Sequence, residues 1–223
     1  RYADAVECLE RVTAADPEDL VSLRRLGEAY EKAGRYQDAL SVYTALLERE
    51  PASIETLYAR ASALVHLGRY GEAVRSIDRI IAIQEENPAA LFMRGAVLER
   101  VGRYDEALAT YEKALEIDQE NAAVWMAAGL LMDAVGRHND AVRAFDRAID
   151  LGGGGVHAWL CRGIALDRLG KPDQAIACYD KVLEADPHQA RAWYLKGRAL
   201  DRLGRFADAV ACFNSALENE QDA

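Results

Sequence analysis

The chain has 223 residues, 51 % hydrophobic, 29 % charged and 8 % aromatic, with a formal net charge of −10. That acidity argues against nucleic-acid binding by phosphate neutralisation, which needs clustered Lys and Arg. No apolar run approaches the ~18–20 residues of a membrane span, and no signal peptide is recognisable.

A half copy, 1–19, comes first. Its helix stops at Asp16-Pro17, because the residue before a proline disfavours the α region. Six full copies of 34 residues follow: 20–53, 54–87, 88–121, 122–155, 156–189 and 190–223. Gly34, Gly68, Gly102, Gly136, Gly170 and Gly204 mark them, each followed by a basic residue. An alanine lies four residues beyond each basic one, from Ala39 to Ala209. Three columns in phase are the signature of a stacked repeat array, which offers a long surface rather than one enclosed cavity. Within a copy, apolar or small residues at i, i+3, i+4 and i+7 predict a first helix, as in Trp125, Ala128, Gly129 and Met132. The glycine column ends it. A second helix follows, carrying Ala107, Tyr111 and Ala114 in the third copy and Ala141, Phe145 and Ala148 in the fourth. Glu50-Pro51 and Asp186-Pro187 end such helices, whereas Pro88 and Pro172 stand where a helix start tolerates a missing N–H.

The columns carry a resemblance. Trp125, Trp159 and Trp193 share one position. Gly27, Gly95, Gly129, Gly163 and Gly197 share another, with Ala61 once in its place. Tyr43, Tyr111, Phe145, Tyr179 and Phe213 form an aromatic column, broken once by Ile77. The chain resembles the tetratricopeptide repeat family along its whole length. The resemblance implies an all-α superhelical solenoid, a single array of about six and a half repeats and 13 helices over 1–223. It further implies a concave inner wall of first helices on which peptides or partner helices lie. At the family's usual leucine position stand Arg60, Arg94, Arg162 and Lys196, and that edge is expected to face solvent with the stems packed. Gly152–Gly155 replaces the family's proline, and both a soft joint and a merely tolerated loop are open readings.

Nothing in the sequence reads as catalytic, as a metal site or as a cofactor site. His66, His138, His157 and His188 are not expected to build a metal site with residues three or four positions on. The glycine run lacks the Lys-Ser or Lys-Thr of a phosphate-binding loop. Cys8, Cys161, Cys178 and Cys212 read as free thiols in a reducing cytoplasm.

A second stripe on the first helices marks the candidate binding surface. It comprises Phe92 and Ala96, Met126 and Leu130, Leu160 and Ile164, then Tyr194 and Arg198. Either neighbouring first helices bury this stripe or it forms an apolar trough for a helix or extended segment. An acidic column closes it: Glu31, Glu99, Asp133, Asp167 and Asp201. Acids at a helix C-terminus oppose the dipole, so each is expected to pair either with the basic residue four positions on or with basic flanks of a partner. Capture of a C-terminal carboxylate tail, known in one subclass of the family, is not expected. The matching places hold Glu28, Ala59, Ala89 and Met93.

The function expected is a non-enzymatic, cytoplasmic scaffold for an unidentified protein or peptide. One alternative is self-association through open ends, with Val210, Phe213 and Leu217 on the last helix. Another is a regulatory segment of a longer protein, since the chain opens on Arg1 rather than Met.

Overall fold

The computed structural model describes residues 2–221, and the regular structure among them is thirteen α-helices with no strand. Their contacts group into two compact units, 1–117 and 118–223. The first holds α1 (Tyr2–Ala15), α2 (Leu20–Lys32), α3 (Tyr36–Arg49), α4 (Ile54–His66), α5 (Tyr70–Ile83), α6 (Pro88–Arg100) and α7 (Tyr104–Ile117). The second holds α8 (Ala122–Ala134), α9 (His138–Asp150), α10 (Gly155–Arg168), α11 (Pro172–Ala185), α12 (Ala190–Arg202) and α13 (Phe206–Gln221). Within each unit every helix packs on the one before and the one after it.

Short local signals set these boundaries. Asp19 accepts from the N–H groups of Val21 and Ser22, Ser53 from Thr56, Asn87 from Ala90 and Asn121 from Val124. Such N-caps satisfy backbone donors that a helix start leaves orphaned. At the other end the glycine column takes φ between 71° and 84°. Gly34 N–H donates to Glu31 and Arg35 N–H to Tyr30, closing a Schellman turn that satisfies the last carbonyls.

The other glycine column seats the aromatic column. A Cβ on Gly129 would lie 2.7 Å from Phe145 Cε1, and one on Gly197 would lie 2.6 Å from Phe213 Cε1. In the second copy both partners change together, Ala61 standing against the smaller Ile77, both wholly buried.

Arg60, Arg94, Arg162 and Lys196 correct an expectation. Rather than facing solvent, their side chains are roughly four-fifths to three-quarters covered, at 20, 25, 23 and 21 % exposure. Arg94 donates to Asp78 at 2.8 Å, Arg162 to Asp146 at 2.5 Å, and Lys196 lies 2.7 Å from Asp180. In each case a first helix grips the second helix of the preceding copy. Arg94 and Arg162 also donate to Thr110 and to the Cys178 thiol of their own copies, at 3.0 Å each. Desolvation offsets much of the gain from a covered ion pair, and Leu26 occupies the same place in the first copy. Arg162→Leu is therefore expected to leave the unfolding free energy within about 1 kcal/mol of the parent. Arg162→Ala, which also removes the packed stem, is expected to lose about 1–2 kcal/mol. Urea titration checks both, and a large loss in the leucine variant would make the charge itself the stabilising element.

The four-glycine run forms a hydrogen-bonded turn. Gly152, Gly154 and Gly155 all have positive φ. Gly152 N–H donates to Ile149 and Gly153 N–H to Ala148. Gly153 lies close against Ala122, and a Cβ on Gly154 would sit 2.8 Å from both Ala158 Cβ and Met126 Sδ. Cys161, Cys178 and Cys212 are buried, Cys8 is exposed, and all four are free. Burial pushes the Cys178 thiol up, against the opposing pull of Arg162.

Candidate functional site

The candidate stripe divides between the two units. Phe92 and Ala96 lie on α6, half-buried, with the Phe92 ring tilted on Tyr111 at 5.9 Å between centroids. The remaining residues lie on α8, α10 and α12, where α10 touches both of the others. Met126 is only 9 % exposed and Leu160 only 5 %, so these two form a floor rather than an open surface. Met126 is held under Gly154, and Leu160 belongs to the core around Tyr179 and Val182. Above that floor Leu130 is 41 % exposed, Ile164 is half-buried and Tyr194 is 51 % exposed. Tyr194 leans on Phe213 at 5.8 Å, and the Arg198 guanidinium lies over its ring at 6.0 Å. Neighbouring residues thus bury the base of the stripe, and its lip stays open.

The acidic column does not pair as expected. The arginine after the glycine turns instead to a carboxylate three positions on, whereas Lys171 has Gln174 there. Examples are Arg35 with Asp38, Arg103 with Glu106, Arg137 with Asp140 and Arg205 with Asp208. The reason is geometric: the glycine turn breaks the helical i,i+4 relation, and the new helix supplies an acid in its first turn. Four members of the column find other partners. Glu31 accepts from the Tyr43 hydroxyl at 2.9 Å and Glu99 from Tyr111 at 3.2 Å. Asp133 is bound by Arg168 and by His138 Nδ1, the latter at 2.6 Å, while Asp167 accepts from Arg202 at 2.6 Å. Arg168 and Arg202 each reach back 35 residues to the preceding first helix. Sequence reasoning missed both, although that constant offset was there to be found. Asp133 and Asp167 are thus engaged internally, whereas Asp201 is exposed.

One copy is out of step. Tyr179 is wholly buried, yet its hydroxyl has no hydrogen-bond partner among the described residues. Its counterparts Tyr43 and Tyr111 have a glutamate to donate to. In the fifth copy that place holds Asp167, one methylene shorter and drawn onto Arg202. Tyr179 borders a recess of about 220 Å³ together with Ile164, Asp167, Arg168, Arg191 and Arg198, but its hydroxyl is sealed from it. Burial and the neighbouring Asp167 carboxylate push the Tyr179 hydroxyl well above the ordinary phenol range, so it stays a neutral donor. A buried donor left unpaired costs about 1–3 kcal/mol.

No metal-like cluster of three His, Cys, Asp or Glu side chains occurs among the described residues. His157 does face Cys161, at 3.6 Å, but nothing joins them as a third ligand. No described helix is long and apolar enough to cross a membrane.

No curated protein matches the chain by sequence. Among solved structures, a tetratricopeptide repeat protein from Parabacteroides merdae superposes with a TM-score of 0.70 at 23% identity, covering 97% of this chain and 86% of that one. MamA from Desulfovibrio magneticus gives 0.71 at 17% identity, over 76% of this chain and 96% of that one. YrrB, described as a TPR protein with an unusual peptide-binding site, gives 0.68 at 19% identity, over 86% and 98% respectively. At these identities the likeness is one of fold. A family model for the tetratricopeptide repeat matches residues 1–54, 58–122 and 160–223, and a second such model matches 99–155. The matched copies, the glycine-terminated hairpins and the seated aromatics agree: the chain belongs to the tetratricopeptide repeat family.

Proposed function

We propose that the chain is a protein-interaction scaffold, without catalytic chemistry, that docks an apolar helix or extended segment of a partner on its first helices. The observation that carries this reading is the row of Leu130, Ile164 and Tyr194 on three adjoining first helices. All three keep solvent exposure while the opposite faces of the same helices are buried. Scattered surface apolar residues need no explanation, but Leu130 and Ile164 occupy equivalent positions in successive copies and Tyr194 stands one helical turn before the third such position, so the three form a patch. Phe92 and Ala96 offer a comparable surface on α6. Free buried thiols fit a reducing compartment such as the cytoplasm.

Peptides selected by display against the immobilised chain, then measured by calorimetry, test the proposal. Leu130→Glu with Tyr194→Ala is expected to weaken the selected peptides at least about tenfold, the scale of losing one central anchor. Both side chains are exposed, so the melting temperature should hold. Equal affinity for parent and variant would remove the stripe from the binding surface. Self-association is the second reading, favoured by exposed Phe206, Val210 and Leu217 on α13. Sedimentation of the same samples over a concentration series decides it.

A further inference from the structure

We infer that the open face of α13 docks an amphipathic helix of a partner protein, one that carries an arginine in its last turn. This is the face on which the self-association reading rests, and the inference gives it a different occupant. The earlier second helices show what such a face receives. The equivalents of Val210 and Leu217 are Leu40 and Leu47 on α3 and Ile176 and Leu183 on α11, all buried or half-buried. In each case the following first helix, α4 or α12, packs against the helix that bears them. On α13 itself Val210 and Leu217 are each 57 % exposed.

Charge specifies the occupant. In the two preceding copies an acid near the end of the first helix is met by an arginine of the next first helix, Asp133 by Arg168 and Asp167 by Arg202. Asp201 occupies that register, and its carboxylate is exposed and without a partner among the described residues. Phe206, 65 % exposed, holds the register of His138, which lies against Asp133. An entering guanidinium on this register meets a carboxylate with an aromatic ring close by, a combination that suits arginine. The fitting helix differs from this chain's own first helices at one place. Arg94, Arg162 and Lys196 each grip an acid of the preceding second helix, where α13 offers Asn214. A cation covered there would have no carboxylate to meet, so the helix that fits is apolar at that place. A folded second copy, moreover, has α2, α4, α6, α10 and α12 already packed on both sides.

The test is a titration of the whole chain against a fluorescent peptide with the sequence of residues 189–203, held helical by a lactam bridge and carrying leucine at the place of Lys196. Anisotropy should rise saturably. Val210→Glu with Leu217→Glu in the chain should weaken the peptide at least about tenfold. Both side chains are exposed, so the melting temperature should hold. Asp201→Asn should weaken it about fivefold, the upper range for a partly exposed ion pair, and should not affect a peptide with glutamine at the place of Arg202. Absence of saturable binding, equal binding by the Val210 and Leu217 variant, or an equal response of the arginine and glutamine peptides to Asp201→Asn would each overturn the proposal. So would sedimentation showing that the chain alone associates and that Val210→Glu with Leu217→Glu abolishes it, since the face then belongs to a second copy. Leu130→Glu with Tyr194→Ala should leave the peptide's affinity intact, which separates this face from the groove. Loss of binding in that variant would place the peptide in the groove and overturn the proposal.

Discussion

Gly95→Ala is expected to cost about 1–3 kcal/mol of unfolding free energy, the range for forcing extra volume into a packed core. The added methyl would lie 2.7 Å from Tyr111 Cδ1 and 2.9 Å from its Cζ, and neither glycine backbone nor ring has room to retreat. Tyr111→Ile alone is expected to lose about 2–4 kcal/mol, through the cavity left by the ring and the lost hydroxyl donor to Glu99. The informative result is the double variant. Ala61 already stands against Ile77 in the second copy, where both are wholly buried. Gly95→Ala combined with Tyr111→Ile would rebuild that pair in the third copy, so the two losses should fail to add by about 1–3 kcal/mol. Urea unfolding of the four chains measures this directly. Strict additivity would mean that the glycine and aromatic columns are independent, and that their co-occurrence in five copies has another cause.

Gly154→Ala is the second large effect expected. Its φ of 72° carries about 1–2 kcal/mol against any residue with a Cβ. Its methyl would also press on Ala158 and on Met126 Sδ, each 2.8 Å away, adding about 1–3 kcal/mol. Gly71→Ala supplies the contrast. It lies in the first turn of α5 with ordinary φ and nothing within 4 Å, so alanine there should stabilise by about 0.5–1 kcal/mol. Thermal unfolding of both variants separates the two kinds of glycine. A tolerated Gly154→Ala would return the turn to the status of slack.

The period and the two glycine columns made the helices legible, because each column answers a local demand: a left-handed turn at Gly34, a close ring at Gly129. The predicted copies therefore begin within one residue of the observed first helices. What stayed hidden was set between copies. Arg94 occupies a place where helical periodicity alone says only that a stem packs. Its charge is resolved by Asp78, 16 residues back on another helix. The burial of Met126 and Leu160 likewise depends on neighbouring helices, so an apolar stripe in sequence could not reveal which part was floor and which was lip. Tyr179 was legible as a core aromatic, but its unpaired hydroxyl was not, since that depends on where Arg202 draws Asp167.

The ties Arg168 to Asp133 and Arg202 to Asp167, with Arg162 to Asp146 and Lys196 to Asp180, have one consequence for how such a protein changes over generations. The block 156–189 carries the cationic half of its joint with the block upstream and the anionic half of its joint with the block downstream. Duplicating or deleting that whole block leaves these joints with both halves, whereas gaining or losing a single residue within it puts the later halves out of phase. Growth by tandem copying is thus permitted by the electrostatics themselves, and fractional lengths are penalised.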